Sequence, residues 1–254
     1  MNLKHPLKLV TVLLLSALTA CEKKADTPVN TPVSRLSKIE YDNNYAEVNY
    51  NADGSIASIT DKLSNGMPNI AYTFQYSNGN LSEIGFGGKW KYTYTDGKIT
   101  KVETANETGV VKYQADLAYT GNKLTEKLES FVSLVGLKPY MRTVFTYSAQ
   151  GNLAKKELFQ YINQEWKKSE ELQYPEYDNH PNTSEHLERT PYLPLGLYSV
   201  NNPLKQVYLD ENGAVLGNTV FNYTYDNLGR PLTRTSVEKF IGFPETVETI
   251  KLYY

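Results

Sequence analysis

The sequence predicts an all-β fold: a long antiparallel meander of about sixteen strands, curved into an open or closed up-and-down, barrel-like sheet that is soluble. Three observations predict it. A tyrosine, a polar turn with glycine and an aliphatic residue recur as a unit along the chain. The runs between those turns alternate apolar and polar residues with period two. Helical periodicity is nearly absent. Composition agrees, since 40% hydrophobic and 21% charged residues exclude wholesale disorder. Lys+Arg number 26 against 28 Asp+Glu, a formal charge of −2 that offers no general electrostatic hold on nucleic acid or acidic lipid. One cysteine excludes a disulfide framework and any multi-thiolate metal site. The 21 tyrosines, against 8 Phe and 2 Trp, put hydroxyls on the aromatic surface, which suits a half-wet sheet.

The first element is residues 1–20, read as a lipoprotein signal peptide. Lys4 and Lys8 form its positive region, and Leu9 to Leu18 is an apolar stretch too short for a permanent membrane helix. Leu18-Thr19-Ala20-Cys21 resembles a bacterial lipobox, and the chain's one cysteine stands where that pathway needs a thiol. The resemblance implies a diacylglyceryl thioether and an N-acyl chain on Cys21, together enough methylene groups for stable anchoring. Glu22 is not the aspartate associated with inner-membrane retention, so the expected address is the outer membrane, on its periplasmic or its cell-surface face. Cleavage before Cys21 leaves 24 basic against 28 acidic residues. Residues 21–34, with Pro28, Pro32 and no aliphatic run, read as a flexible tether.

Residues 35–254 form the expected single β-meander domain. Its hairpin units are Tyr50 to Ile56 with Gly54, Tyr76 to Leu81 with Gly79, and Tyr94 to Ile99 with Gly97. Tyr147 to Leu153 with Gly151, and Tyr225-Asp226-Asn227-Leu228-Gly229, follow. Looser copies are Tyr119-Thr120-Gly121 and Asp210 to Val215. Tight hairpin turns need positive φ, which glycine supplies without steric cost. In Lys89 to Thr95 the Trp and both Tyr share one face while Lys and Thr share the other. Lys89, Lys91, Glu103, Lys155, Glu157 and Lys167 mark that second face as wet; at membrane depth such charges cost several kcal/mol, so an aqueous domain is expected. Ile56 and Ile59, Leu81 and Ile84, and Ile99 and Val102 lie three apart. A regular strand cannot hold both members on one face, so a β-bulge is expected between them, adding the twist that curls the sheet.

One stretch breaks the rhythm. Residues 174–204 contain Pro175, Pro181, Pro191, Pro194 and Pro203 and are expected to form an irregular insertion. Leu193, Leu195, Leu197 and Tyr198 would anchor it. Tyr177, Asp178, His180, Asn182 and His186, with Trp166, are the candidate ligand-binding residues, because long loops on a rigid scaffold concentrate binding. A plug that fills the mouth of the sheet is the alternative.

The hairpin units, clearest in Tyr225-Asp226-Asn227-Leu228-Gly229-Arg230-Pro231-Leu232, resemble the YD-type repeats of bacterial surface proteins. With the lipobox and the segments Tyr177-Asp178-Asn179-His180-Pro181-Asn182 and Asn201-Asn202-Pro203, the chain resembles a family of uncharacterised bacterial outer-membrane lipoproteins. That resemblance implies a porin-like β domain of unknown function, and no catalytic or binding residues to carry over.

Catalytic chemistry is hard to find. His180 and His186, near Asp178, Glu185 and Glu188, match neither metalloprotease nor finger spacing, so no metal site is expected. There is no Gly-x-Ser-x-Gly elbow or phosphate-cradling loop, and Gly85-Phe86-Gly87-Gly88 reads as a tight hairpin. Glu170-Glu171 and Asp210-Glu211 read as solvated positions. The expectation is a lipid-anchored cell-envelope protein that is not an enzyme and has no cofactor. It presents a Tyr-rich β surface to a glycan, a peptide or another envelope protein, and does not bind nucleic acid. A purely structural envelope component, or a glycan-processing hydrolase whose carboxylates converge only in the fold, are the alternatives.

Overall fold

The computed structural model describes residues 35–64, 67–134, 136–182 and 199–254. Strands β1 (Lys38–Tyr41), β2 (Asn44–Tyr50), β3 (Ile56–Lys62), β4 (Ile70–Ser77), β5 (Asn80–Gly85), β6 (Lys89–Thr95), β7 (Lys98–Ala105) and β8 (Val111–Thr120) make the first half. The second half is β9 (Lys123–Ser133), β10 (Gly136–Tyr147), β11 (Leu153–Ile162), β12 (Glu165–Pro181), β13 (Asn201–Asp210), β14 (Val215–Tyr225), β15 (Pro231–Phe240) and β16 (Thr246–Tyr253). Each strand pairs antiparallel with the next, and β1 pairs with β16 from Lys38↔Tyr253 to Tyr41↔Ile250, so the sheet is a closed barrel. The all-β meander stands as expected. Closure removes both sheet edges and their unpaired backbone groups.

Turns alternate between two rims. One, here the tyrosine rim, carries the connections after β2, β4, β6, β8, β10, β12 and β14; the far rim carries the others. Asn78-Gly79 and Asp96-Gly97 hold positive φ at both positions (52° and 77°, 51° and 74°), the two-residue turn whose twist matches its strands. A five-residue turn recurs at Asn51–Ser55, Asn106–Val110, Ser148–Asn152, Asp210–Ala214 and Asp226–Arg230, each with the same two backbone bonds. In the last, Asp226 Oδ1 accepts the amides of Leu228 and Arg230, so the side chain closes the turn. The Asp210 unit sits at the far rim, out of phase with the other hairpin copies: its leading position is Leu209, where the others have tyrosine.

The expected bulges are present. Asn49 pairs Ser58 but Tyr50 pairs Ile56, which leaves Ala57 over; in the same way Ser82 and Thr100 are left over. Thr125, Ala154 and Leu232 repeat the device. Each bulge lies just after a tyrosine-rim turn, and the first three put their two aliphatics on the face that the tyrosine shares.

That face is the lumen, where the concave side crowds side chains. In β8 Tyr113, Ala115 and Leu117 are buried, and they join Tyr72, Ile84, Tyr92, Val102, Leu124, Phe145 and Leu153 in one cluster. A second cluster, Leu36, Ile39, Ala46, Ile250 and Leu252, packs the seam. Beside the first cluster the lumen also holds charged groups. Lys127 and Glu129, opposite Leu117 and Ala115, form a buried ion pair at 2.8 Å, and the Tyr113 hydroxyl donates to Glu129 at 2.7 Å. The outer wall carries ion pairs around much of its circumference: Lys251–Glu40 (2.9 Å), Lys101–Glu103 (3.7 Å), Arg142–Glu126 (2.7 Å) and Lys155–Glu157 (2.9 Å). Lys251, Lys38 and the Tyr253 hydroxyl hold the Glu40 carboxyl down at about 2.

Two expectations need correction. The irregular insertion over 174–204 is too long, since β12 runs on to Pro181 and β13 begins at Asn201. Proline is tolerated there because the pairing itself is broken by register shifts at Gln173/Glu176, Glu176/Tyr177 and Tyr177/Pro181. Lys167 lies on the lumenal face, paired with Gln160, because the irregularity at Leu158/Phe159 reverses the alternation beyond it.

Candidate functional site

Eight tyrosines stand at one level of the tyrosine rim: Tyr50, Tyr76, Tyr94, Tyr119, Tyr147, Tyr177, Tyr225 and Tyr254. Most of their hydroxyls tie neighbouring hairpins together. Tyr147 donates to the Leu124 carbonyl at 2.8 Å, Tyr50 to Leu36 at 2.8 Å, Tyr254 to Pro231 at 3.1 Å, and Tyr177 to Leu153. Tyr76 and Tyr94 hydrogen-bond the backbone of Ile56 and Leu81. In most cases the partner is the residue just before a bulge, where the ladder is broken and a backbone group needs another partner. Burial pushes the hydroxyls of Tyr147 and Tyr177 up to about 12, so they stay protonated donors at neutral pH. The ring tyrosines thus lie on the inner, concave face of the sheet. Among the described tyrosines only Tyr161 and Tyr253 are exposed.

The ring changes partner once. Where residues 182–200 interrupt the meander, Tyr225 gives its hydroxyl to the carboxylate of Asp178. Asp178 also accepts the amides of His180 and Asn202 (both 3.0 Å) and the Asn202 Nδ2 (3.1 Å). Asn202 is 1% exposed, and its Nδ2 also reaches the Pro181 carbonyl at 3.2 Å. The His180 ring stacks on Tyr225 with centroids 3.7 Å apart. Asn201 exchanges bonds with Asn152, receiving from its Nδ2 at 3.1 Å and giving its own amide to Oδ1 at 2.9 Å. Its Nδ2 donates to the His180 carbonyl at 3.2 Å. Asn182 is clamped to residues 199 and 200 through its Nδ2 and its amide. Both ends of the interruption are therefore pinned to the rim.

Beside this pin lies a cleft of about 330 Å³. Its walls are the Ser148–Asn152 turn, the Tyr174–Asn179 stretch of β12, and Asn201. The lining contributes neutral amides and hydroxyls, the Tyr174 ring and Pro175; Asp178 is its charged member, with both oxygens already bonded. Ser148 Oγ is buried and has no hydrogen-bond partner among the described residues. An unpaired buried hydroxyl costs free energy that a ligand can recover.

Of the sequence candidates, Tyr177, Asp178, His180 and Asn182 are brought together, chiefly as members of the pin. His186 lies outside the described residues, as do Leu193, Leu195, Leu197 and Tyr198. Trp166 is not at this site. It stands at the start of β12, against Tyr161 at 5.0 Å, and eleven residues of strand put it on the order of 35 Å from Tyr177. Asn152, Asn201, Asn202, Ser148 and Ser199 were not candidates; the Asn201-Asn202-Pro203 run was the visible trace of them. Cys21 also lies outside the described residues. Among the described residues no cluster of three metal-ligating side chains occurs.

No protein-family model and no curated protein matches the chain. Similar solved structures include two porin-like proteins. A porin-like protein from Bacteroides uniformis superposes with a TM-score of 0.58 at 18% identity, covering 86% of this chain and 96% of that one. A porin-like protein from Bacteroides vulgatus gives 0.51 at 14% identity, covering 86% and 98%. The fold is therefore porin-like.

Proposed function

We propose that this protein is an envelope lipoprotein whose barrel stands in water, held to the outer membrane by acyl chains on Cys21, and that it binds a neutral glycan in the rim cleft without catalysis. The charged wall carries the first half. Ion pairs on β1, β7, β10, β11 and β16 face outward where a membrane barrel needs an apolar band. The lining carries the second. Amides from Gln150, Asn152, Asn179 and Asn201 flank the Tyr174 and Tyr177 rings, with no cation in the lining to draw an anion, which suits a polyhydroxylated, uncharged ligand. Calorimetric titration with neutral hexose and N-acetylhexosamine oligosaccharides tests it. Binding should be lost in Tyr174→Ala with the strand signal intact; heats equal in both proteins defeat the reading. Cys21→Ser should release the protein from the membrane fraction, and equal retention of both forms defeats the anchor. A purely structural role is the second reading, favoured by the saturation of Asp178.

A further inference from the structure

The two rims differ in kind. Among the described residues, tyrosine-rim turns are polar, apart from exposed Val200, Leu228 and Leu232. At the far rim, connection after connection ends in an exposed apolar side chain. Met67 lies between β3 and β4, Val110 between β7 and β8, and Leu134 between β9 and β10. Ile162 ends β11, Val215 and Leu216 open β14, and Ile241 and Phe243, at 73% and 75% exposure, lie between β15 and β16. Turn chemistry does not ask for such residues, and each stands in water at a cost. Just inside that rim, Tyr161 and Trp166 pack together on the outer wall, with Val132, Leu137 and Val247 exposed at the same level. Six of the eight far-rim connections carry these tips, spread around a closed ring.

A protein partner covers one side of such a ring, whereas a plane touches every tip at once. We propose that the far rim seats on a lipid surface, with its apolar tips in the headgroup layer and Tyr161 and Trp166 at the interface, where amphipathic aromatic rings belong. Glu165 and Glu211 stand among the tips and Glu245 is paired with Lys239 at 2.8 Å, so insertion of apolar area, rather than attraction by anionic lipid, makes the seat. The proposal rests on the anchor reading, and the tether permits it. β1 runs from the tyrosine rim to the far rim, so Arg35 leaves at the tyrosine rim. Residues 21–34 reach up to about 46–50 Å when extended, more than the ~33 Å of a ten-residue strand, so the chain can return along the wall to the same bilayer. The cleft rim then faces away from the membrane.

The test uses the mature acylated protein in phosphatidylcholine–phosphatidylethanolamine vesicles. Because the native cysteine is acylated, cysteines introduced as Leu134→Cys, Phe243→Cys, Gln150→Cys and Leu228→Cys are the free thiols for a fluorescent label. Spin-labelled lipid should quench the labels at 134 and 243 by roughly half or more and leave those at 150 and 228 nearly unchanged, given insertion depths of about 5–10 Å. Flotation of the protein without quenching at 134 and 243 overturns the seat alone. Labels there that are shielded from aqueous iodide yet unquenched by lipid mean that a second copy covers the rim, and also overturn it. Failure to float overturns the anchor and the seat with it.

Discussion

Replacing Tyr147 by phenylalanine removes one oxygen from the tyrosine ring and leaves the aromatic area in place. In the native barrel that hydroxyl donates to the Leu124 carbonyl at 2.8 Å, and Leu124 is 7% exposed. A net hydrogen bond contributes about 0.5–1.5 kcal/mol, and a buried group left unpaired raises the loss toward 1–3 kcal/mol. Half-burial of Tyr147 admits some water to the carbonyl, so the expected cost is about 1–2 kcal/mol. Urea unfolding followed by fluorescence measures it. With m near 2–3 kcal/mol per molar for a domain of this size, the midpoint should fall by roughly 0.5 M at unchanged m. Tyr161→Phe is the control, an exposed tyrosine outside the ring, and should stay within about 0.5 kcal/mol of the parent. Equal midpoints for Tyr147→Phe and Tyr161→Phe would refute the idea that the ring stabilises through its hydroxyls.

Asp178→Asn turns one acceptor into a donor facing donors; about 2 kcal/mol should be lost, with faster hydrogen exchange at the amides of His180 and Asn202, and unchanged exchange contradicts the pin. Lys127→Met strands the Glu129 carboxylate in the lumen and should cost about 3–5 kcal/mol, most of it recovered in Lys127→Met with Glu129→Leu; equal losses in the single and double variants count against a buried pair. For Tyr147 and Tyr177 the folded pKa, about 12, lies above the unfolded 10, so the protonated hydroxyls' stability is complete below pH 10 and is lost as pH rises through 12. The unfolding midpoint should therefore fall across that window, and Tyr147→Phe should shallow the fall.

How much of this was legible depends on how local each feature is. The bulges were readable because spacing three in Ile56–Ile59, Leu81–Ile84 and Ile99–Val102 conflicts with a period of two, and only an extra residue resolves the conflict. The length of the interruption was misjudged because Pro175, Pro181 and Pro203 read as breakers. A strand with irregular pairing leaves room for a residue that cannot donate. Tyr177, Asp178 and His180 were found through their motif, but their role was not. A carboxylate with four donors around it and a free one look alike until the donors' places are known.

Turn type, alternation of faces and bulge position were thus determined by the sequence itself, since each is set by φ preferences and side-chain period within a few residues. Only the tertiary structure decided that the sheet closes, joining Lys38 to Tyr253, and that Tyr147, Tyr177 and Tyr254 bond the hairpin before them. It also decided that, among the described residues, exposed apolar turn residues gather mainly on the far rim. Those outcomes depend on the summed register of sixteen strands, in which one shifted residue would turn every later side chain to the other face.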